Sequence, residues 1–345
     1  MKKLIACLAL FCMSAGIYQN AVAQNGKSSG KQQKQRTKKK DIPGISSKGY
    51  GIVWNGLSGL AIDFVTPASG IPADFRSKIE WWLKEFGMKI PPEALINKQL
   101  HSFADTDKNR LDRLVRAINN PNSDVVWAMR GGFGSYKLIK ALKDLPKPKK
   151  KKYFVGYSDI TALNLFISQN WEDWTVIHGP VFREIAFDEF NFFDWTRLLY
   201  ILRGENKPYT ITGLHPLNKK TSAKLQGKLT GGNLSLIEAS LGTCWEIQTR
   251  GKILFLEDCG ESGPSIYRSL YHLKEVGKFD GVVAIVFGHF KGCVNFVENL
   301  KAFAEEIDIP VFMTDQFGHG KHNMPIVYNA LGSIEGDVLK VNLEK

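Results

Sequence analysis

Lys151-Lys152-Tyr153-Phe154-Val155-Gly156-Tyr157-Ser158-Asp159-Ile160-Thr161-Ala162-Leu163 decides how the rest of the chain is read. An apolar, aromatic run with strand propensity stops at Gly156. An apolar-periodic run of Ile160, Leu163, Leu165 and Phe166 begins just after Ser158-Asp159. The pattern predicts a strand, a sharp turn and a helix, with a serine in the turn. Such a serine turns its hydroxyl out of the sheet, facing the first N–H groups of the helix. The same residues also suit a plain structural role, because Ser and Asp are both favoured helix N-caps.

Outward from this stretch, strands alternate with helices. Val65-Thr66-Pro67-Ala68-Ser69-Gly70 ends a strand in a turn, and apolar spacing predicts helices over 74–86 and 107–118. Ser123 to Met129 reads as a buried strand running into Arg130-Gly131-Gly132-Phe133-Gly134, followed by a helix over 135–142. The alternation predicts a parallel sheet with crossover helices, whose sites form at the carboxyl ends of the strands. The glycine turn and Ser158 both fall there. Beyond His178-Gly179-Pro180 the pattern becomes aromatic and irregular through Arg203, and the polar, turn-rich stretch that follows suits a crossover between domains. The pattern then resumes with Gly231-Gly232-Asn233, a helix over 234–241, and a strand over 252–256 ending in Glu257-Asp258. Helices over 265–276 and 295–306 alternate with strands over 281–287 and 310–314, the turn Phe317-Gly318-His319-Gly320 follows, and residues 330–343 suit a closing hairpin.

The ends of the chain carry a different message. Lys2-Lys3, the apolar run Leu4 to Ile17 and Ala21-Val22-Ala23 have the layout of a cleavable export signal, with cleavage after Ala23. No stretch reaches the roughly 18 apolar residues of a membrane-spanning helix. Residues 24–47 are Gly, Ser, Gln and Lys with little to bury, a disordered basic linker. Residues 1–41 hold nine basic side chains against Asp41, a net of +8 out of the chain's +12, so the remainder carries only +4. The basic character is thus mostly a property of the tail and points to anionic wall or membrane surfaces rather than to nucleic acid. A second basic cluster, Lys147 to Lys152, reads as a solvated loop entering the serine strand. After cleavage Cys244, Cys259 and Cys293 remain, too few and too far apart for a disulfide framework or a zinc site. Nothing in the sequence calls for a cofactor or metal.

Three predicted strand ends therefore carry chemistry: Ser158, Glu257 and His319. A serine hydroxyl needs a base, histidine is the usual one near neutral pH, and a carboxylate fixes the tautomer of that histidine. Gly131-Gly132 and the N–H of Asp159 at the helix start offer backbone donors for an oxyanion hole. Spacing leaves His178, His289 and His322 open as rival bases, and Glu257-Asp258 open as a mere strand end. The glycine turn lacks the Lys-Ser/Thr of a P-loop and the spacing of a dinucleotide fingerprint.

Arg130-Gly131-Gly132-Phe133-Gly134, Gly156-Tyr157-Ser158-Asp159-Ile160-Thr161-Ala162-Leu163, His178-Gly179-Pro180, Gly231-Gly232-Asn233-Leu234, Leu256-Glu257-Asp258 and Gly318-His319-Gly320 occur in one order. In order and spacing this set resembles the LD-carboxypeptidases, the muramoyltetrapeptide carboxypeptidase family, which also contains microcin C self-immunity peptidases. The resemblance covers residues 51–332. It implies an α/β fold: an N-terminal flavodoxin-like parallel-sheet domain (48–203), a crossover linker (204–222) and a smaller C-terminal α/β domain of swivelling type (223–345). It implies a Ser158-Glu257-His319 triad, an oxyanion hole of the Gly132 and Asp159 backbone N–H groups, a homodimer, and cofactor-free hydrolysis of the amide to the terminal D-Ala of a murein tetrapeptide. A carboxypeptidase also needs a grip on a free carboxylate, and Arg130 is the candidate by its place beside the glycine turn. The export signal sets this chain apart from the family's recycling members and implies a periplasmic protein. Two other functions fit the same resemblance: an immunity peptidase cleaving a peptidyl- or aminoacyl-adenylate amide, and a murein-binding protein without catalysis.

Overall fold

Two sheets carry the chain in the computed structural model, which describes residues 57, 59–85, 101–186, 191–220 and 225–343. The export signal and the basic linker lie outside the described residues. In the first half, β1 (Ile62–Val65) leads to α1 (Ala73–Glu85), and α2 (Asp107–Asn119) precedes β2 (Val125–Ala128). The short α3 (Ile139–Lys143) precedes β3 (Tyr153–Gly156), and α4 (Thr161–Asn170) precedes β4 (Thr175–His178). The four strands pair in parallel and in sequential order. Each is short, and apart from Asp63 in the edge strand β1 they are largely apolar and buried, as expected for strands covered by helices on either side. Trp127 of β2 is wholly buried, gives its indole N–H to the Pro180 carbonyl at 3.0 Å and stacks on Trp195 at 5.5 Å.

Two expectations need correction here. The aromatic stretch before Arg203, read as irregular, forms α5 (Phe182–Ala186) and α6 (Phe192–Leu202). The Asn191 side chain caps α6, and Trp195, Leu198, Leu199 and Leu202 form its buried stripe at helical spacing. Aromatic crowding hid that period. Lys152, read as part of a solvated loop, is buried. Its ammonium donates to the carbonyls of Ala117 and Asn120, at the end of α2, and to Ser123 Oγ. A cation there complements the negative end of the helix dipole.

The second sheet is built from β5 (Tyr209–Ile211), β6 (His215–Pro216) and β7 (Leu225–Asn233), with α7 (Leu234–Ala239) following. Next come β8 (Lys252–Cys259), α8 (Gly263–Glu275), β9 (Ala284–Lys291), α9 (Phe296–Glu305) and β10 (Val311–Gly318). The strands β7, β8, β9 and β10 are parallel neighbours, and β6 caps the β10 edge in the antiparallel sense. The other edge is the hairpin of β12 (Leu331–Glu335) and β13 (Val338–Asn342), with β5 outermost. The α/β class is thus the one expected, and at eight strands the second sheet is the wider of the two. The stretch read as a crossover linker supplies both edge strands of that sheet, β5 and β6.

One strand crosses back. β11 (Ile326–Val327) leaves the second half and pairs antiparallel with β4 of the first sheet, Ile326 opposite His178. Side chains fasten the same seam. Thr161 Oγ1 accepts the Asn233 amide at 3.0 Å, and Tyr328 donates its hydroxyl to the Gly231 carbonyl at 2.8 Å. Residues from Ser46 to Lys345 accordingly form one unit.

Candidate active site

The serine sits in the sharp turn its sequence suggested, and the turn is strained. Ser158 sits at φ 63°, in the left-handed region that a residue with a Cβ rarely enters. A short 3-10 turn over Ser158–Ile160 then feeds α4. Neither Ser158 nor Asp159 caps that helix with its side chain. The capping alternative therefore does not describe this turn. The Asp159 carboxylate instead reaches across to the glycine turn and accepts the amides of Gly134 at 2.9 Å and Ser135 at 2.8 Å. Ser135 Oγ returns a hydrogen bond to the Asp159 carbonyl at 2.6 Å. Asn164, one turn into α4, binds the Gly156 carbonyl at 2.9 Å. Buried hydrogen bonds on both flanks hold the strained residue in place.

These ties bring the glycine turn against the serine. A Cβ on Gly131 would stand 3.0 Å from Ser158 Cβ and 3.2 Å from its Oγ, so only glycine allows the two turns to approach this closely. Gly132, expected in the oxyanion hole, is held at φ +105° with Ser69 packed where a side chain would go. Ser69 Oγ accepts the Phe133 amide at 3.0 Å and so sets the turn from its other side. Arg130 is half-buried and commits one guanidinium nitrogen to the Gly70 carbonyl at 2.7 Å. Burial and then the neighbouring charge of Arg183 push its pKa below the usual value.

The second sheet supplies the other two residues. Glu257, wholly buried on β8, accepts His319 Nδ1 on Oε2 at 2.5 Å. Gly318 allows this contact: a Cβ there would lie 2.8 Å from Glu257 Cβ, and its φ is +99°. Burial works against both charges, but their attraction and hydrogen bonds outweigh it. Glu257 is therefore lowered, and His319 raised, from their ordinary values, the Cys259 thiol adding a hydrogen bond to His319. The Tyr157 ring, one residue before the serine, packs 4.7 Å from the His319 ring. Tyr157 in turn gives its hydroxyl to Glu184.

The rival histidines are occupied otherwise. His322 faces Asp194 at 3.6 Å, His289 packs under Gly320, and His178 is buried between Tyr157 and Phe255. Sequence reasoning did not single out Tyr157, and it gave Asn233 no role. Asn233 caps α7 with its side-chain oxygen and donates its amide to Asp258 at 2.8 Å. Asp258 also accepts the amides of Ser235 and Cys259, and burial followed by the charge of Glu257 raises its pKa. The Gly-Gly-Asn signature thus anchors the strand end that presents Glu257. Among the described residues no group of three or more His, Cys, Asp or Glu is placed to hold a metal ion.

Comparison with known proteins meets this geometry on both sheets. Residues 62–179 match the family model of the LD-carboxypeptidase N-terminal domain, and residues 226–334 that of the C-terminal domain. The chain belongs to the LD-carboxypeptidase family. A Rickettsia conorii protein that carries a provisional carboxypeptidase name is 41% identical over 281 residues, 81% of this chain and 89% of that one. A Bacillus subtilis protein named, also provisionally, a murein peptide carboxypeptidase is 32% identical over 68% of this chain and 74% of its own. Two solved structures share the fold. One is a muramoyltetrapeptide carboxypeptidase from Oxalobacter formigenes (TM-score 0.63, 22% identity, 83% of this chain and 99% of that one). The other is an MccF-like protein from Bacillus anthracis (TM-score 0.68, 21% identity, 83% and 97%). This LD-carboxypeptidase family member is a peptidase.

Proposed function

We propose that the chain is an exported serine LD-carboxypeptidase that releases the terminal D-Ala of murein tetrapeptides in peptidoglycan turnover. The observation that carries the reading is the buried Glu257–His319 pair packed against Tyr157, next to a serine held at φ 63°. Ser158 Oγ attacks the scissile carbonyl and its proton passes to His319, while Glu257 stabilises the imidazolium. The developing oxyanion is met by the N–H groups of Gly132 and Asp159, which the Asp159 clamp keeps in register. His319 returns the proton to the departing D-Ala amine, and water then hydrolyses the acyl-enzyme. Arg130 takes the free carboxylate of the substrate.

The test is D-Ala release from L-Ala-D-Glu-meso-diaminopimelate-D-Ala by residues 24–345, run beside Ser158→Ala. Release that disappears in the variant bears out reaction and nucleophile together; no release by either overturns the murein assignment. One feature favours a second substrate. Phe133, 48% exposed and stacked on Phe103 at 5.7 Å, lies one residue beyond Gly132 and suits stacking on a nucleobase. An aminoacyl-adenylate analogue assayed in parallel decides between the two, and sacculus binding without either hydrolysis would mark the protein as a wall binder. The basic tail is assigned to wall or membrane attachment, so deleting residues 25–42 should weaken sacculus binding at low salt. Sedimentation equilibrium should find a homodimer, and fractionation should find the protein in the periplasm.

A further inference from the structure

His178 is the most enclosed ionisable side chain near the triad, and the mechanism above gives it no part. It closes β4, with Gly156 of the serine strand paired on one side and Ile326 of β11 on the other. Strand pairing on both flanks fixes where its ring lies. The ring is wholly buried, edge-on to Tyr157 at 5.7 Å and to Phe255 at 5.3 Å. Phe255 is two residues before Glu257 on β8, so the two side chains leave the strand on the same face. Tyr157 lies against both His178 and His319.

Within that enclosure three polar atoms lack a hydrogen-bond partner in the protein: His178 Nδ1, His178 Nε2 and Glu257 Oε1. The other carboxylate oxygen, Oε2, is taken by His319. Asn233 adjoins Glu257 across the β7–β8 pairing and helps to lower its pKa; one of its two amide N–H groups goes to Asp258, and neither is hydrogen-bonded to Oε1. A buried carboxylate oxygen without a donor and a buried imidazole without an acceptor are each costly alone and satisfy one another.

We propose that His178 is a positioning residue for the triad: its neutral ring gives one N–H to Glu257 Oε1 across one buried water. The inference rests on the serine-peptidase reading and adds a fourth member to its hydrogen-bonded chain. The groups around the ring are Tyr157, itself bound to Glu184, the Phe255 ring, and the charges of Glu257 and of His319 beyond it. Burial is the largest influence on His178 and lowers its pKa to about 4, against the pull of Glu257, so the ring stays neutral where the enzyme works. A neutral donor disperses the carboxylate charge over both oxygens. Without it, charge concentrates on Oε2 and holds the His319 proton more tightly. The acid limb of the rate profile then moves to higher pH.

The experiment compares wild type, His178→Leu and His178→Gln in the mature chain, by kinetics and by nitrogen NMR titration of the histidines in the resting protein. In His178→Leu the His319 midpoint should rise by roughly one unit. Its kcat should fall roughly 10- to 100-fold, the range seen when outer partners of a site are removed, with KM little changed. His178→Gln, which keeps a donor, should restore both. A His319 midpoint that is the same in all three proteins overturns the proposal, as does a glutamine variant indistinguishable from the leucine one. Should His178→Leu fail to fold, Glu257→Gln serves: the wild-type His178 N–H signal should move in it, and an unmoved signal overturns the proposal. The titration needs no substrate, so it stands even if D-Ala is not released.

Discussion

The two halves of the site are built by different means. On the first sheet the serine turn is held by backbone geometry: a left-handed serine, glycines that let two turns touch, and a carboxylate spent on the amides of Gly134 and Ser135. On the second sheet a histidine is held by charge: His319, just past β10, pairs with a wholly buried glutamate 62 residues earlier on β8, and the two strands share β9 as a neighbour. The first half is local and stiff. The second is long-range and titrates. One should therefore break through geometry and the other through protonation.

Removing the nucleophile with Ser158→Ala gives the largest effect expected, a loss of roughly 10⁴- to 10⁶-fold in kcat with substrate binding retained. Glu257→Gln keeps the shape and removes the charge, and should cost on the order of 10⁴-fold in kcat, read in the same assay. The clamp comes next. Asp159→Ala strands the buried amides of Gly134 and Ser135 and should lower stability by about 3 kcal/mol in urea unfolding. Its kcat should fall as well, because the oxyanion donors lose their register.

The pH profile sharpens the contrast. His319 must be neutral to take the serine proton, and Glu257 raises its pKa, so the acid limb of kcat/KM should lie above the ordinary histidine value of 6.5. Glu257→Gln should bring that limb down, whereas Asp159→Asn should leave its midpoint in place. The sign for stability runs the other way. A raised histidine and a lowered glutamate stabilise the fold most between the two unfolded-state values, about 4.5 and 6.5. The gain is lost as pH falls through the folded value of Glu257 or rises through that of His319. The smallest change in stability belongs to Ser158→Gly, which relieves the left-handed strain and should raise stability by about 1 kcal/mol in urea unfolding, although it loses turnover as Ser158→Ala does.

The same division explains what was legible in the sequence. The strand-turn-helix around Ser158 and the alternation that makes a parallel sheet are local patterns, and both stand in the structure. Ser158, Glu257 and His319 could each be named as strand ends. That Glu257 and His319 meet, and that His178, His289 and His322 lie elsewhere, depends on which strands are neighbours, and spacing carries no such information. The aromatic stretch before Arg203 failed for another reason: Trp195, Leu198, Leu199 and Leu202 do repeat at helical spacing, but neighbouring phenylalanines fill the polar face and blur the period. Lys152 failed because a lysine among lysines looks solvated until a helix end is found above it.

The strand that crosses back has a consequence for how the molecule comes into being. The first sheet lacks its last strand until Ile326 and Val327 arrive, and those residues follow His319 by only a short loop. The emerging nucleophile half therefore waits with an open edge beside β4 through the synthesis of most of the second half. When the chain end docks, the act that seals this edge also brings His319 against Tyr157, the residue before the serine. Sheet closure and assembly of the Tyr157–His319 contact are one event, and a chain cut short before β11 holds a serine turn with no sealed sheet behind it.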